Sequence, residues 1–420
     1  MLLLVVSSAC WISSHRNDRI AAAVPLSTCF VEAGTNEGFS DVCDGLNCTE
    51  APYSWVIEHL DVTTDALRDL ATGLGAVSFG VTTAEPFTES LTTLREHRAS
   101  GMSGPLHFTY DEPVVATNVE ISFSWARSIV VFAYNYLAEA NTPADSGAIV
   151  GRFASSDHYK PVRAIAEVVL ERLTRAGGRA EILIDDNRLV DRAAASRAGL
   201  GWIGKSTMVL TPGQGPWMLL GSVVTDMKLA TTPPMVRGCG TCVACIPACP
   251  TSAIGPNGLD ASKCISTWLQ TPGSIPQWIR PHIGRRIYGC DDCLTSCPPG
   301  HRALVKVSSG PSVLEFDELL ASDDHALMER FSWWYVPRRD PRYLRRNILV
   351  AAGNSGEVAA LAPIRDHLKQ RSSMIRSHAV WALARSLGSD ANAELRALLE
   401  EETVPETLGE IRYAMAMIES

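Results

Sequence analysis

Eight cysteines within residues 239–297 constrain this 420-residue chain more than any other feature. They form two runs, Cys239-x2-Cys242-x2-Cys245-x3-Cys249-Pro250 and Cys290-x2-Cys293-x3-Cys297-Pro298, with Cys264 alone between them. In a run of the first kind, three closely spaced thiolates take three irons of one [4Fe-4S] cubane, and the fourth cysteine, before proline, reaches a second cluster. Applied reciprocally, this gives one quartet of Cys239, Cys242, Cys245 and Cys297. The other is Cys249, Cys264, Cys290 and Cys293, so every cysteine in the window has a place. Zinc knuckles prefer two separated CxxC pairs, and disulfide frameworks suit small secreted domains. The spacing therefore predicts two [4Fe-4S] clusters in a ferredoxin-like module over residues 236–305, and a chain that moves electrons.

The length leaves room for two or three domains, each with its own core. The formal charge of −9 excludes a polybasic character, so any nucleic-acid surface must be local. No apolar run of about 18 residues exists to span a bilayer. Residues 1–10 are apolar but lack the basic start of an export signal. Together with Cys10, Cys29, Cys43 and Cys48, they belong to a segment, 1–55, expected to be disordered or to precede the true start. A cytoplasmic, membrane-free protein is the expectation, because such clusters are assembled in a reducing compartment.

Residues 56–235 read as an α/β domain. Leu67, Leu70, Ala71 and Leu74 recur at helical spacing, residues 75–81 and 128–136 read as strands, and 159–176 as an amphipathic helix. A strand at 180–185 and a helix from near Leu189 continue the alternation. Asp185 falls at a strand end, where functional residues collect in such layers; by itself, Asp185 or Asp186 reads as a cap for the next helix. The run from Gly199 through Gly204, Lys205 and Ser206 has the letters of a P-loop, but it follows a helical stretch rather than a buried strand, which argues against nucleotide hydrolysis.

Beyond the cysteines, residues 306–343 read as an aromatic and basic connector, and 344–420 as stacked helical hairpins of HEAT type. Trp333, Trp334, Tyr335 and Tyr343 are interleaved with Arg338, Arg339, Arg342, Arg345 and Arg346. Arginines suit phosphates and aromatic rings suit an extruded base, so these arginines are a candidate RNA surface. The alternative is that they bridge the cluster module to the helical tail and the tryptophans are core.

The order of parts, with Ala198-Gly-Leu-Gly-Trp-Ile-Gly-Lys-Ser-Thr207, Leu259-Asp-Ala-Ser-Lys-Cys-Ile-Ser266, Ile287-Tyr-Gly-Cys-Asp-Asp-Cys293, and Arg346-Asn347 leading into Gly353-Asn354-Ser355-Gly356, resembles the epoxyqueuosine reductases over roughly residues 65–420. The resemblance implies a cobalamin in the α/β domain and reduction of an epoxide on the wobble base of a transfer RNA, giving queuosine. It implies Asp185 as proton donor, its protonated form favoured by burial beside the corrin. Gly201, Lys205, Val209, Leu220 and Ser266 would line the corrin site. An external electron donor of flavodoxin or ferredoxin type and a monomeric state belong to the same expectation. No histidine sits in a recognisable cobalt-ligand motif.

The chain also departs from that family. Pro298-Pro299-Gly300 replaces Pro-Trp-Asn, Thr267-Trp-Leu-Gln270 replaces Tyr-Leu-Thr-Ile-Glu, and Asp186-Asn-Arg188 stands where small residues and proline are usual. The Tyr-His pair appears reversed, as His158-Tyr159. Two other readings stay open: a reductive dehalogenase-like enzyme using the same cofactors on a small molecule, and a plain electron carrier fused to a helical interaction module.

Overall fold

The computed structural model describes residues 62–137, 142–143, 146–305, 311–312 and 314–419, all within one compact unit, Tyr53–Ser420. The expectations for residues 1–55 lie outside the described residues.

A four-stranded sheet organises the first half. Its strands are β1 (Ala76–Thr83), β2 (Ser128–Asn135), β3 (Ala180–Leu183) and β4 (Met218–Thr225), in the order β1-β2-β4-β3. β2 occupies the middle and is buried over its first six residues, and its side chains alternate between two cores. Ile129, Val131 and Ala133 pack on one face with helix α3 (Asp191–Arg197). Val130 and Phe132 pack on the other, with α1 (Thr64–Gly73) and α2 (Tyr159–Arg175). A strand buried on both faces reads as a continuous apolar run, which is why it stands out in the sequence.

Every pairing in this sheet is antiparallel. The alternation of helices and strands therefore gives a three-layer α/β arrangement without the parallel sheet that such alternation usually builds. Strand β4 is the element that sequence reading omits, and it is the one that separates β2 from β3. Asp185 consequently follows an edge strand of an antiparallel sheet. Close packing on β4 requires glycine at Gly221, where a Cβ would lie 2.3 Å from the Phe132 ring.

The second half is built around a different core. Helices α5 (Pro341–Ser355), α7 (Ser373–Leu387) and α9 (Pro405–Glu419) lie side by side, with α6 (Leu361–His367) against α7 and α8 (Asn392–Glu401) against α9. Gly353 lets α5 approach α7, since a Cβ there would stand 2.7 Å from Ala382 Cα. The segment 306–343 is not a mere connector. Phe316 and Leu319 of helix α4 (Phe316–Ala321), with Leu327, Phe331 and Trp334, are buried in the same core as Leu349 and Trp381, together with Ile275, Ile279 and Ile287 from between the cysteine runs. Tyr136, Trp217, Leu294 and Ala303 form a smaller core joining the sheet to the second run.

The Arg346-Asn347 pair and Asn354 have a structural reason in this packing. Asn347 Nδ2 donates to the carbonyls of Leu269 (2.7 Å) and Ile287 (3.1 Å), and Asn354 Nδ2 to that of Arg280 (2.7 Å). Arg346 Nη2 donates to the carbonyls of Trp268 (3.0 Å) and Thr271. Buried carbonyls need partners, and α5 supplies them to the irregular chain around the cysteines.

Candidate functional site

The eight thiols are all free, and the fold gathers them into two sets. Burial pushes the Cys245 thiol up, and the neighbouring thiols that add to this are Cys239, Cys297 and Cys242. Burial likewise raises Cys293, with Cys290, Cys264 and Cys249 as its thiol neighbours. Cys290 is pushed up to about 12, by burial first and then by Asp292, while Arg286 opposes. Among the described residues no three His, Cys, Asp or Glu side chains converge as ligands of a single ion; in a cubane each thiolate holds its own iron. The backbone assists: Ala253 N–H donates to Cys249 Sγ at 3.2 Å. Crowded, buried thiols of this kind become thiolates when bound iron supplies the positive charge. The donor set fits two [4Fe-4S] clusters in chemistry and number.

An open cleft of about 230 Å³ is lined in part by residues close in sequence to the second set. One wall is aromatic: Tyr288 stacks on Trp334 at 4.3 Å, Trp334 stacks on Phe331 at 4.0 Å, and Trp333 and Tyr335 continue the lining. Tyr288 Oη donates to the Tyr335 carbonyl at 3.0 Å, and Gln270 Nε2 donates to Ser266 Oγ at 2.9 Å. Tyr288 is two residues from Cys290 and Ser266 two residues from Cys264. Two short stretches of chain thus lead directly from this region to the second thiol set.

Asp185, Tyr159 and Arg163 also line the cleft. Asp185 has φ of 49°, in the left-handed region that Asp tolerates better than most residues. Its carboxylate accepts a hydrogen bond from Tyr159 Oη. Burial first, then the charge of Asp185, pushes the Tyr159 phenol far above its ordinary range, so it remains a donor. The capping alternative falls away. Asp186 accepts from Arg188 N–H at 2.9 Å and pairs with its guanidinium, whereas α3 begins after Val190 with no side-chain cap. Asp191, in the first turn of α3, is pushed well above the carboxylate range by burial and by Asp185. Tyr159 and Asp191 escape sequence reading because nothing in their local pattern marks them; the reversed His158-Tyr159 order is the one available signal for Tyr159.

The other expected corrin contacts distribute differently. Asp185 is exposed at the cleft, so the protein itself does not bury it. Ser266 reaches the cleft through Gln270, but Gly201, Lys205, Val209 and Leu220 do not line it. Gly201 serves the packing of residues 202–210, since a Cβ there would meet the Leu210 carbonyl at 2.4 Å. Val209 is buried in the core between β2 and α3, and Leu220 packs against it. Lys205 Nζ donates to the carbonyls of Gly240 and Cys242, both at 2.9 Å, and so holds the first cysteine loop.

Among the candidate RNA-binding arginines, Arg338, Arg339 and Arg342 are exposed. Arg342 pairs with Asp340, and Arg339 Nη1 donates to the carbonyls of Ser332 and Trp334. Arg345 is mostly covered and is tied to Asp324 and the carbonyls of Leu320 and Ser322. Arg346 is fully buried, and that burial lowers it to about 9, so it cannot meet a phosphate. For Arg346 and Trp334, the bridging and core reading is the correct one.

A family model described as a 4Fe-4S double cluster binding domain matches residues 238–300. The chain is 30% identical to an epoxyqueuosine reductase of Staphylococcus aureus over 349 residues, covering 80% of this chain and 91% of that protein. It is 31% identical to one from Xanthomonas campestris over 351 residues, covering 76% and 96%. Among solved structures, it resembles an epoxyqueuosine reductase crystallised with an epoxyqueuosine-modified tRNA-Tyr stem loop, with a TM-score of 0.75, 26% identity, and 85% and 98% of the two chains covered. It also resembles the Bacillus subtilis epoxyqueuosine reductase in which the catalytic aspartate loop is swung out of the active site, with a TM-score of 0.75, 27% identity, and coverage of 84% and 98%.

Proposed function

Since the chain belongs to the epoxyqueuosine reductase family, we propose that it reduces the epoxide of epoxyqueuosine at the wobble position of a transfer RNA, giving the alkene of queuosine and water. The observation that carries the reading is the cleft that brings the Asp185 carboxylate together with aromatic side chains, among them Tyr288, two residues from Cys290 of the second thiol set.

The reaction consumes two electrons and two protons. Clusters held by the two cysteine quartets would supply electrons one at a time, and a cobalamin held in the cleft would supply a strongly reducing metal centre. The cleft suits one face of such a ring, with an apolar wall and a polar rim, and no histidine, cysteine or methionine lines it as a metal ligand. At about 230 Å³ the cleft is smaller than the roughly 300–1,000 Å³ pockets that enclose drug-sized ligands, so it would cover only part of a corrin. Asp185 is placed to pass a proton to the departing oxygen, and Tyr159 fixes its carboxyl group. Trp333 and Tyr335 offer faces on which an extruded base can stack, while Arg338, Arg339 and Arg342 face the phosphates.

In this reading residues 56–235 are the cobalamin-binding domain, 236–305 the cluster module and 344–420 a short HEAT-like solenoid. The protein acts as a monomer in the cytoplasm, with a flavodoxin or ferredoxin type donor. No helix among the described residues is long and apolar enough to cross a membrane.

The test is anaerobic reconstitution with iron, sulfide and cobalamin, then incubation with reductant and epoxyqueuosine-containing transfer RNA, with nucleosides read by mass spectrometry. Queuosine formation that is lost in Asp185→Ala is expected. Cluster and corrin binding without queuosine would overturn the substrate and leave a small-molecule reductase.

A further inference from the structure

We propose that Phe108, backed by Tyr335, is a stacking platform for a second unpaired nucleobase, the neighbour in the RNA of the one that enters the cleft. The proposal rests on the transfer RNA reading and adds how the strand beside the target base is gripped.

The ring centroids of Phe108 and Tyr335 lie 5.3 Å apart, with the planes at 65°. At that distance the rings touch each other, so a base has no room between them and stacks on an outer face. Both side chains are exposed, at 36% and 49%. Tyr335 lines the cleft and Phe108 does not, which places Phe108 one ring outside the mouth. Single exposed apolar residues are ordinary, but the backbone of this one is not. Its φ of 41° lies in the left-handed region, which a bulky residue enters only at a cost.

That strain is concentrated and held. Among the described residues, six non-glycine residues have a left-handed φ, and four of them belong to the cleft or its rim. Asp185 lines the cleft, Phe108 touches Tyr335, and Arg338 and Arg339 follow Tyr335 closely, with Arg339 donating to the Trp334 carbonyl. Strained backbone of this kind persists where the surroundings fix it, and it collects at ligand clamps. Here the surroundings do fix it: Arg98 Nη1 donates to the carbonyls of Tyr110 (2.6 Å) and Asp111 (3.0 Å). Ala261 N–H donates to the Met102 carbonyl at 2.7 Å, and Gly104 packs so tightly on Ser262 that a Cβ would lie 2.7 Å from its Cα. The segment 100–112 is thereby fastened to the chain that leads to Cys264, and it presents Phe108 at a set position.

Chemistry makes the ligand a base rather than a phosphate. Arg98 is engaged with two carbonyls, His107 faces Asp111 at 3.3 Å, and Glu112 comes next. Beside the ring this segment thus offers a flat apolar face and no free arginine or lysine. The exposed Arg338 and Arg339, on the chain that carries Tyr335, are left for the adjoining phosphates. Unpaired bases of RNA loops stack on aromatic side chains, and any base serves because each has a π face. The wobble nucleotide lies in a single-stranded loop, so when its base enters the cleft a neighbouring base comes to the mouth.

The experiment uses the full chain and a transfer RNA anticodon stem loop carrying 2-aminopurine on one side or the other of the wobble nucleotide. Anisotropy gives the affinity, and 2-aminopurine fluorescence reports stacking without any turnover. Quenching on binding is expected from at least one of the two positions, and it should be lost in Phe108→Leu, which keeps apolar bulk without a flat ring. Phe108→Ala and Phe108→Leu are each expected to weaken binding about tenfold, and Phe108→Trp to retain it. The salt slope of the affinity should stay the same in all three, because no phosphate contact is removed. Phe108→Gly suits the left-handed backbone, so weaker binding at an undiminished urea midpoint separates lost stacking from lost folding. Unaltered affinity in both Phe108→Ala and Phe108→Leu would overturn the proposal, and so would a loss of cobalamin uptake with RNA affinity intact. A chain that binds no stem loop overturns the transfer RNA reading together with this platform, whereas binding with an unquenched probe overturns the platform alone.

Discussion

Tyr159 Oη donates a hydrogen bond to the carboxylate of Asp185 within the cleft. The residue before it, His158, is fully buried, with its ring 5.6 Å from Tyr136 and its nitrogens near the hydroxyls of Ser155 and Ser156. The reversed order of this pair therefore puts a phenol, not an imidazole, beside the acid. Tyr159→Phe removes the hydroxyl while keeping the ring. It is expected to slow queuosine formation by roughly 100-fold, the lower end of what a positioned proton-transfer group contributes. Transfer RNA affinity should hold, because the ring and the arginines are untouched. Single-turnover kinetics and fluorescence anisotropy separate the two; equal rates for Tyr159→Phe and the unmodified protein would exclude this role.

Arginines close together in sequence should behave in two different ways. Arg338 and Arg342 are exposed, so replacing either by Ala is expected to weaken transfer RNA binding and to reduce the salt slope of the affinity by about one unit, without changing the urea midpoint. Arg346→Ala is expected to do the reverse, because the side chain is buried and feeds the carbonyls of Trp268 and Thr271. Leaving buried carbonyls without donors costs about 1–3 kcal/mol each. Binding titrations at several salt concentrations, run beside urea melts, check both halves.

The contrast between the cluster ligands and the cleft explains what sequence reading can and cannot reach here. Metal-ligand spacing is local and tied to residue type, so the first cysteine run identifies itself, and the lone Cys264 and Cys297 follow from counting. The cleft draws Tyr159, Asp185, Gln270, Tyr288 and Trp334 from five separated segments. No periodicity joins them, and Asp185 emerges only through the family resemblance. Strand β2 is readable because it is buried on both faces; β4, interrupted by Gly221, is not. The arginine-rich stretch misleads for a related reason. Composition gives charge but not burial, and Arg346 and Trp334 are buried against Trp268, Thr271 and Tyr288, which lie far off in the chain.

The pairing of cysteines across the two runs can be tested one ligand at a time. Cys249 sits in the first run but belongs spatially with Cys264, Cys290 and Cys293. Cys249→Ala and Cys293→Ala should therefore each lose the same cluster and roughly half of the iron, whereas Cys245→Ala should lose the other. Low-temperature electron paramagnetic resonance of the reduced variants distinguishes the clusters. Matching spectra for Cys249→Ala and Cys245→Ala would contradict the crossed arrangement.

Helix α9 is fastened to the chain between the cysteine runs by a buried ion pair. Arg280 Nη1 lies 2.7 Å from Glu410 Oε1, and the two side chains are only 3% and 7% exposed. Arg280 Nε also donates to the Ile275 carbonyl at 2.8 Å. Removing one partner of such a pair leaves the other charge buried and costs about 3–5 kcal/mol. Glu410→Ala is expected to destabilise by that amount, and an unchanged thermal or urea midpoint would show that α9 is held by its apolar face alone.

His378 gives the same region a pH dependence of definite sign. Its Nε2 accepts the Ile275 N–H at 3.1 Å, so that nitrogen is unprotonated, and Nδ1 donates to the Met374 carbonyl at 2.7 Å. Burial, reinforced by Arg280, lowers this histidine well below its ordinary 6.5. In the unfolded chain it would take up a proton below that pH, while in the folded protein it stays neutral. The unfolded state therefore binds more protons as the solution is acidified, and stability falls by up to about 1.4 kcal/mol per pH unit below roughly 6.5, with no contribution from this group at higher pH. His367, also lowered by burial, acts in the same direction. Urea unfolding between pH 8 and 5 should show this slope, and His378→Gln should reduce it by one proton's worth rather than abolish it. An unchanged slope in that variant would mean that His378 titrates alike in the folded and unfolded chains.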